Sequence, residues 1–491
     1  MKEINLMHTS LSWKLIERFS SQGIQLVIQI ILARLLLPRD FGIIAILLIF
    51  LNFSNILIQS GLNIALVQKK DSDETDFSSV YWMSCFLSLI LYFIVFSLAP
   101  LIGDFYKIPE IIISIRILGI SLFFGPINTI YSSLIMKKML FKEQFLSSII
   151  GSFGYGVIGI SMALLNFGFW SLVIANLTSI ILTTITFNFL IKWKVNFVFS
   201  ILRMKKMFSF SSKMLFSSFI FVLSDSLYGL FLGRYYSSDT LGFYNRAQKF
   251  PMLVSTSFNS AISSVIFPVL TSKQDNTFEI RKTLYNSTRT STFIIAPLML
   301  LMSALSESII LTLLTDKWFL AIPIMRILSI EYSISSIHTT SIQAYAAVGK
   351  SYIVLQLEIF RLIFAALSLF VGFLFGFYYI FYFRLLSAVF LAFYIIFINK
   401  KIFDYKVKQQ IKSFIPNFFL SVIVYLIAFV LNFFLSINLF NTFLIATISV
   451  IIYLLLALIT KNDNLNFFYH HSTQLVKSFW YLVRTKFSKT I

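Results

Sequence analysis

Fourteen stretches of this chain are long runs of mostly apolar side chains, and they leave little sequence from which to build a soluble domain. They cover 11–37, 41–67, 79–103, 111–136, 144–165, 169–191, 209–234, 241–270, 287–314, 321–347, 351–372, 376–398, 412–434 and 438–460. Crossing a bilayer takes about 20 residues of helix, so each run is long enough. Only 12% of the residues are Asp, Glu, Lys or Arg, about half of what a water-wetted globular surface carries. The expected fold is therefore an all-α polytopic membrane protein with about 14 transmembrane helices. The first run is too long for a signal peptide and lacks a small-residue cleavage site, so it counts as the first span. Short links such as LPRDFG, NFGFW and SSDTLG force neighbouring helices into antiparallel hairpins.

Lysine and arginine gather on one set of loops. QKKDSDETD at 68–76, MKKMLFK at 136–142, RMKK at 203–206, EIRK at 279–282 and NKKIFDYKVKQQIK at 399–412 fall on that side. The alternate loops hold scattered charges such as Arg39, Lys107 and Lys317. Positive loops stay cytoplasmic, which places a multi-pass protein in the cytoplasmic (inner) membrane with both termini cytoplasmic. The net charge of +20 then fits loops beside anionic membrane lipids and calls for no nucleic acid. The basic segment Val476–Lys489 is expected to lie on anionic lipid as an amphipathic helix, to hold a biosynthetic partner, or to be no more than a frayed tail. Cys85 is the one cysteine, so no intrachain disulfide forms, and no Cys/His spacing suggests a metal.

A repeat underlies the run of helices. RILGI at 116–120 recurs as RILSI at 326–330, and Asn128-Thr129 and His338-Thr339 keep the offset of 210. Leu32, Arg34 and Gly42 recur at an offset of 200 as Leu232, Arg234 and Gly242. Matched positions in matched helices predict two parallel six-helix bundles plus two C-terminal helices: an N-terminal lobe at 1–195, a C-terminal lobe at 205–400, two additional helices at 410–460 and a basic cytoplasmic tail at 461–491. Two bundles flanking a cleft are suited to alternating access.

Charges inside the runs are the candidate site, because a charge at the bilayer centre costs at least about 2.5 kcal/mol unless it faces a bundle interior or a wet cavity. Glu358 and Arg361 are i,i+3 neighbours and are expected to pair. Lys213 and Arg384 are expected to reach a headgroup region, and Arg116 and Arg326 to sit near helix starts. Arg18 lies beside a polar strip of Ser20, Ser21, Gln22, Gln25 and Gln29, Arg246 and Lys249 share one face of a helix, and Arg289 sits in NSTRTST. Cations with few acidic neighbours suit an anionic ligand, a diphosphate above all, since arginine offers planar paired donors. Pro251 and Pro297 are candidate hinges. The glycines of GSFGYG at 151–156 are expected to let helices approach closely. No Gly-rich phosphate loop, nucleophile elbow or zinc-hydrolase motif appears, so the chain is read as no enzyme, with no cofactor.

The stretches ARLLLPRDFGIIAILLIFLNFSNILIQSGLNIALVQKK and GFYNRAQKFPMLVSTSFNSAISSVIFPVLTSKQDN resemble the bacterial polysaccharide flippases of the multidrug/oligosaccharidyl-lipid/polysaccharide exporter superfamily, the colanic-acid-exporter type in flavour. The resemblance covers most of 10–400 and thins over the last two helices. It implies translocation of undecaprenyl-diphosphate-linked oligosaccharide for surface polysaccharide (O-antigen or exopolysaccharide), coupled to a proton or sodium gradient, with a polysaccharide polymerase and glycosyltransferases as protein partners. Asp225 is the candidate for the coupling ion. Competing expectations are a lipid II flippase, a cation-coupled drug exporter and a non-transporting assembly protein or polymerase.

Overall fold

The computed structural model describes residues 2–460 apart from Ser60 and Lys70. Among these, the side chains of 2–12, 14–16, 18 and 19 and of scattered later positions are not described. The tail expected at 461–491, with its lipid- or partner-binding segment, lies outside the described residues.

The described chain is helical throughout. In order come α1 (Lys2–Leu35), α2 (Pro38–Gln59), α3 (Leu62–Gln68), α4 (Glu74–Tyr106), α5 (Glu110–Gly119), α6 (Gly125–Lys138), α7 (Phe141–Leu164), α8 (Trp170–Leu190) and α9 (Ile201–Tyr235). There follow α10 (Ser238–Ser272), α11 (Thr277–Ala304), α12 (Ser306–Leu313), α13 (Ala321–Ser335), α14 (Thr339–Ala347), α15 (Ser351–Phe375), α16 (Phe377–Phe403), α17 (Val407–Phe434) and α18 (Leu439–Ile459).

Among the described residues the fourteen apolar stretches are mainly helical, the second being divided between α2 and α3 and the ninth between α11 and α12. Ten of the described helical segments, or eleven if the α11–α12 pair bent by 67° counts as one, are long and apolar enough to cross a membrane. Three stretches, in α1, α9 and α13–α14, are outside that count among the described residues. The first carries Gln22, Gln25 and Gln29, and α13–α14 is broken at 336–338. Helices of that kind belong in a membrane only where their polar face is turned from lipid.

The chain packs as two compact units. One comprises the chain up to Arg246 with Leu313–Trp318 and Glu358–Phe377, and the other comprises Ala247–Thr312, Phe319–Leu357 and the chain from Tyr378 on. The first unit has a core in which Leu66, Val80, Tyr131, Leu134, Phe187 and Met204 join α3, α4, α6, α8 and α9. In the second, Phe293 and Leu301 of α11 meet Val424 and Ala428 of α17 and Tyr453 of α18. The glycines of α7 do what their run predicts. A side chain on Gly151 or Gly154 would collide with Thr183 or Leu182 of α8, and one on Gly156 would come within 2.7 Å of Ile28 in α1. Packing and repeat divide the chain differently, since α9 opens the second sequence half yet packs on α2, α3 and α4 of the first.

The connection before α9 shows why. Trp82 Nε1 donates to the Asn196 carbonyl at 3.0 Å, Ser78 and Ser79 hydroxyls accept from Asn196 N and Ser200 N, and Arg203 bonds Asp73 at 2.5 Å and Asp76 at 3.3 Å. Asp73 caps α4 with a reciprocal box through Asp76. The Arg203 guanidinium and the Asp76 backbone N–H hold the Asp73 carboxyl well below its usual range, at about 2.

Candidate functional site

Two helix starts in the first unit set up the site. At the head of α2 the Asp40 carboxylate accepts from Leu37 N at 2.9 Å. At the head of α10 the Ser237 hydroxyl accepts from Thr240 N at 3.1 Å. Leu37 pairs with Ser237 and Asp40 with Thr240 at the repeat offset of 200, so each half begins its second helix with one arm of a capping box. Immediately beyond, Gly42 and Gly242 let the two helices touch. A Cβ on Gly42 would overlap the Ser238 carbonyl, and one on Gly242 the Pro38 carbonyl.

One turn after Gly242 stands Arg246, 8% exposed. Its guanidinium lies 3.8 Å from the centre of the Phe41 ring, a cation–π stack, and the Tyr155 phenol of α7 is its electrostatic neighbour. Gln29, from the polar strip of α1, donates to the Tyr155 hydroxyl at 3.4 Å. No carboxylate forms an ion pair with Arg246 among the described residues. Phe41 in turn meets the Trp318 ring at 5.5 Å, and Phe243 meets it at 6.0 Å from the α10 side. Trp318 is fully buried, and its Nε1 donates to the Ala33 carbonyl at 2.9 Å. Arg246 is thus a buried cation set against a π face and a phenol, and burying a charge without an ion-pair partner is costly.

The other predicted residues are spread more widely. Arg18 is on α1, but its side chain lies outside the described residues. Lys249 is exposed one turn along α10 from Arg246, and Asp225 is exposed on α9. Arg289 is half-buried on α11, where Asn417 of α17 donates to its carbonyl at 2.9 Å. Asp225, Lys249 and Arg289 each have an interaction partner. Pro251 lies buried inside α10 and Pro297 half-buried inside α11. Arg246 belongs to the first compact unit, Lys249 and Arg289 to the second.

Several charges resolve structurally. Glu358 and Arg361 pair at 3.2 Å as their spacing predicts. Arg384, expected to reach headgroups, instead pairs with Glu331 of α13 at 2.7 Å, both side chains mostly buried. Arg116 stacks on Phe96, and Arg326 donates to the Ser306 hydroxyl at 3.3 Å. The residues that the sequence did not mark are Phe41, Tyr155 and Trp318. The only signal for them is the place of Phe41 beside a repeated glycine.

A tyrosine–asparagine bond ties helices together in each compact unit. Tyr131 of α6 donates to the Asn188 side chain of α8 at 2.8 Å, and Tyr345 of α14 donates to that of Asn399 in α16 at 2.7 Å. The stretch that holds each tyrosine is broken midway, by a 3₁₀ turn at Ile120–Phe124 and at 336–338.

Residues 31–323 match the model of a family described as polysaccharide biosynthesis protein. The chain is 27% identical over 284 residues to the teichuronic acid biosynthesis protein TuaB of Bacillus subtilis. It is 25% identical over 352 residues to the succinoglycan biosynthesis transport protein ExoT of Rhizobium meliloti, and 23% over 326 residues to the lipopolysaccharide biosynthesis protein WzxC of Escherichia coli. These matches cover 57%, 72% and 65% of this chain and span 58%, 71% and 65% of those proteins, so just over half of TuaB is reached. In fold the chain is similar to the lipid II flippase MurJ in an inward closed conformation, with a TM-score of 0.74, 16% identity and coverage of 92% of this chain and 99% of that one. A multidrug resistance MATE family transporter of the MOP superfamily in an inward-facing conformation gives a TM-score of 0.62 at 16% identity, covering 80% of this chain and 99% of the transporter.

Proposed function

Because the chain belongs to the polysaccharide biosynthesis protein family matched over 31–323, we propose that it carries a polyprenyl-diphosphate-linked oligosaccharide, undecaprenyl diphosphate being the lipid, across the cytoplasmic membrane for surface polysaccharide. It is a multi-pass transporter of the flippase and exporter kind, not an enzyme. The observation that carries the cargo is Arg246, buried without a carboxylate partner among the described residues and flanked by the neutral polar groups of Gln29 and Tyr155. A diphosphate supplies the missing charge and accepts paired N–H bonds. Sugars need a wet path for the same reason that Arg246 needs a counter-charge, while the lipid tail stays in hydrocarbon.

The mechanism in this reading is alternating access by two parallel six-helix halves followed by two further helices, fourteen crossings in all, with both termini cytoplasmic. Arg18, Lys249 and Arg289 extend the cationic path, Pro251 and Pro297 bend the helices that rearrange, and Asp225 takes the proton or sodium ion. No bond is made or broken. The protein lowers the solvation barrier that keeps a charged, hydroxylated headgroup out of lipid.

Deleting the gene and extracting the lipid-linked oligosaccharides tests this. Diphosphate-linked units accumulate inside, surface polymer disappears and growth continues. Lysis would assign lipid II instead, drug sensitivity with normal polymer would assign a drug exporter, and polymer of altered chain length without lipid-linked accumulation would assign an assembly protein.

A further inference from the structure

In a molecule built from two related halves, the axis relating them passes where residue i of one half meets j of the other and j meets i. The α2–α10 crossing has this form. Gly42 faces Ser238 and Gly242 faces Pro38, and both Pro38/Ser238 and Gly42/Gly242 stand 200 residues apart. The touching groups are glycine Cα atoms and backbone carbonyls, which make weak C–H···O contacts. Such a contact closes completely, because no side chain intervenes, and opens without breaking an ion pair.

The aromatic residues around it point the same way. Phe41 precedes Gly42 and Phe243 follows Gly242, and both rings pack on fully buried Trp318. Phe41 is also the ring under Arg246. We propose that the Gly42–Gly242 crossing is the closure point of the transport path, and that an anion drawing Arg246 off Phe41 loosens it. This rests on the flippase reading for the identity of the anion, and on the repeat geometry for the closure itself. In this arrangement Phe41 is a positioning residue: it reports to the closed contact whether Arg246 is occupied by a ring or by a ligand.

The test is hydroxyl-radical footprinting of the full-length chain in lipid nanodiscs, reading oxidation of Trp318 by mass spectrometry. Trp318 is protected in the wild type. Gly42→Val and Gly242→Val each raise its oxidation at least fivefold, and combining them adds little, since both wedge one contact. Gly23→Ala, at a glycine whose added Cβ meets nothing within 4 Å, leaves it protected. Undecaprenyl diphosphate added to the wild type raises Trp318 oxidation severalfold, and added to Arg246→Met does not. Phe41→Leu adds no bulk and keeps the test valid if the valine variants misfold, which fully buried Tyr345 reveals by becoming oxidised as well. Folded Phe41→Leu is expected to expose Trp318 without ligand.

Protection of Trp318 in the folded glycine variants and in Phe41→Leu would overturn the closure. Equal responses of wild type and Arg246→Met to undecaprenyl diphosphate would overturn the coupling. A deletion strain with intact surface polymer, alongside glycine variants that expose Trp318, would remove the cargo and keep the closure.

Discussion

Replacing Arg246 by methionine separates a structural arginine from a working one. The side chain keeps its length and loses its charge. Two opposed terms set the change in stability. A charge held within a membrane helix costs about 3 kcal/mol, and that cost disappears. The stack on Phe41, 3.8 Å away in a nearly dry setting, contributes about 2 kcal/mol, and that is lost. The balance favours the variant by about 1 kcal/mol, a rise in Tm of roughly 2 °C for a unit of this size. Transport moves the other way. Hydrogen bonds to a charged group are worth about 1.5–3 kcal/mol, so losing them lowers flux of lipid-linked oligosaccharide roughly 10- to 100-fold. Thermal unfolding in detergent and accumulation of lipid-linked units in a complemented deletion strain give the two readouts. Arg246→Lys, which keeps the charge but not the planar fork, is expected to unfold near the wild-type temperature with transport still impaired. A methionine variant that unfolds several degrees lower and transports normally would refute the reasoning and make Arg246 a packing residue.

Three further outcomes follow from contacts away from the site. Gly151→Val drives a side chain into Thr183 and the Ser179 backbone and is expected to cost about 1–3 kcal/mol by overpacking, whereas Gly23→Ala is neutral or stabilising by up to about 1 kcal/mol through helix propensity; thermal unfolding compares them. Tyr345→Phe strands buried Asn399 and is expected to cost about 1–3 kcal/mol, while Tyr131→Phe, whose partner Asn188 is exposed, costs about 0.5–1 kcal/mol in the same measurement. The Asp73 carboxyl is held at about 2 in the folded state against an ordinary 3.8, so its bond to Arg203 stabilises the fold above pH 4 and loses that effect as pH falls toward 2. Both side chains are substantially exposed, so solvent screening keeps the gain small. The stability gap between wild type and Arg203→Ala should therefore be flat from pH 7 to 5 and shrink below 4.

What the sequence made legible follows from how far apart the interacting residues lie. Glu358 and Arg361 are one turn apart, and spacing alone pairs them. Glu331 and Arg384 sit on α13 and α16, and no local pattern joins two helices separated by α14 and α15. Arg246 announces itself because a charge is conspicuous in an apolar run. Phe41 does not, being one of 57 phenylalanines, and what sets it over a guanidinium is a helix crossing created by two glycines 200 residues apart. The offset itself was visible, as Leu32/Leu232 and Gly42/Gly242, but not that the repeated glycines touch. Helical runs were legible throughout, because apolar length is a one-dimensional property. The polar strip of α1 is visible in its glutamines, but which neighbours that face meets is a matter of packing.

The discontinuity of the first compact unit has a consequence for how the protein is made. Its last piece, Glu358–Phe377, brings α15 home: Ser368 bonds the Tyr228 hydroxyl at 3.0 Å, and Tyr236 donates to the Gly372 carbonyl at 2.8 Å. A ribosome adding about 5–20 residues per second needs on the order of ten seconds to travel from Arg246 to Phe377. Throughout that interval nine helices and an arginine wait in the membrane without their closing strut, and the insertion machinery has to shelter them until α15 emerges.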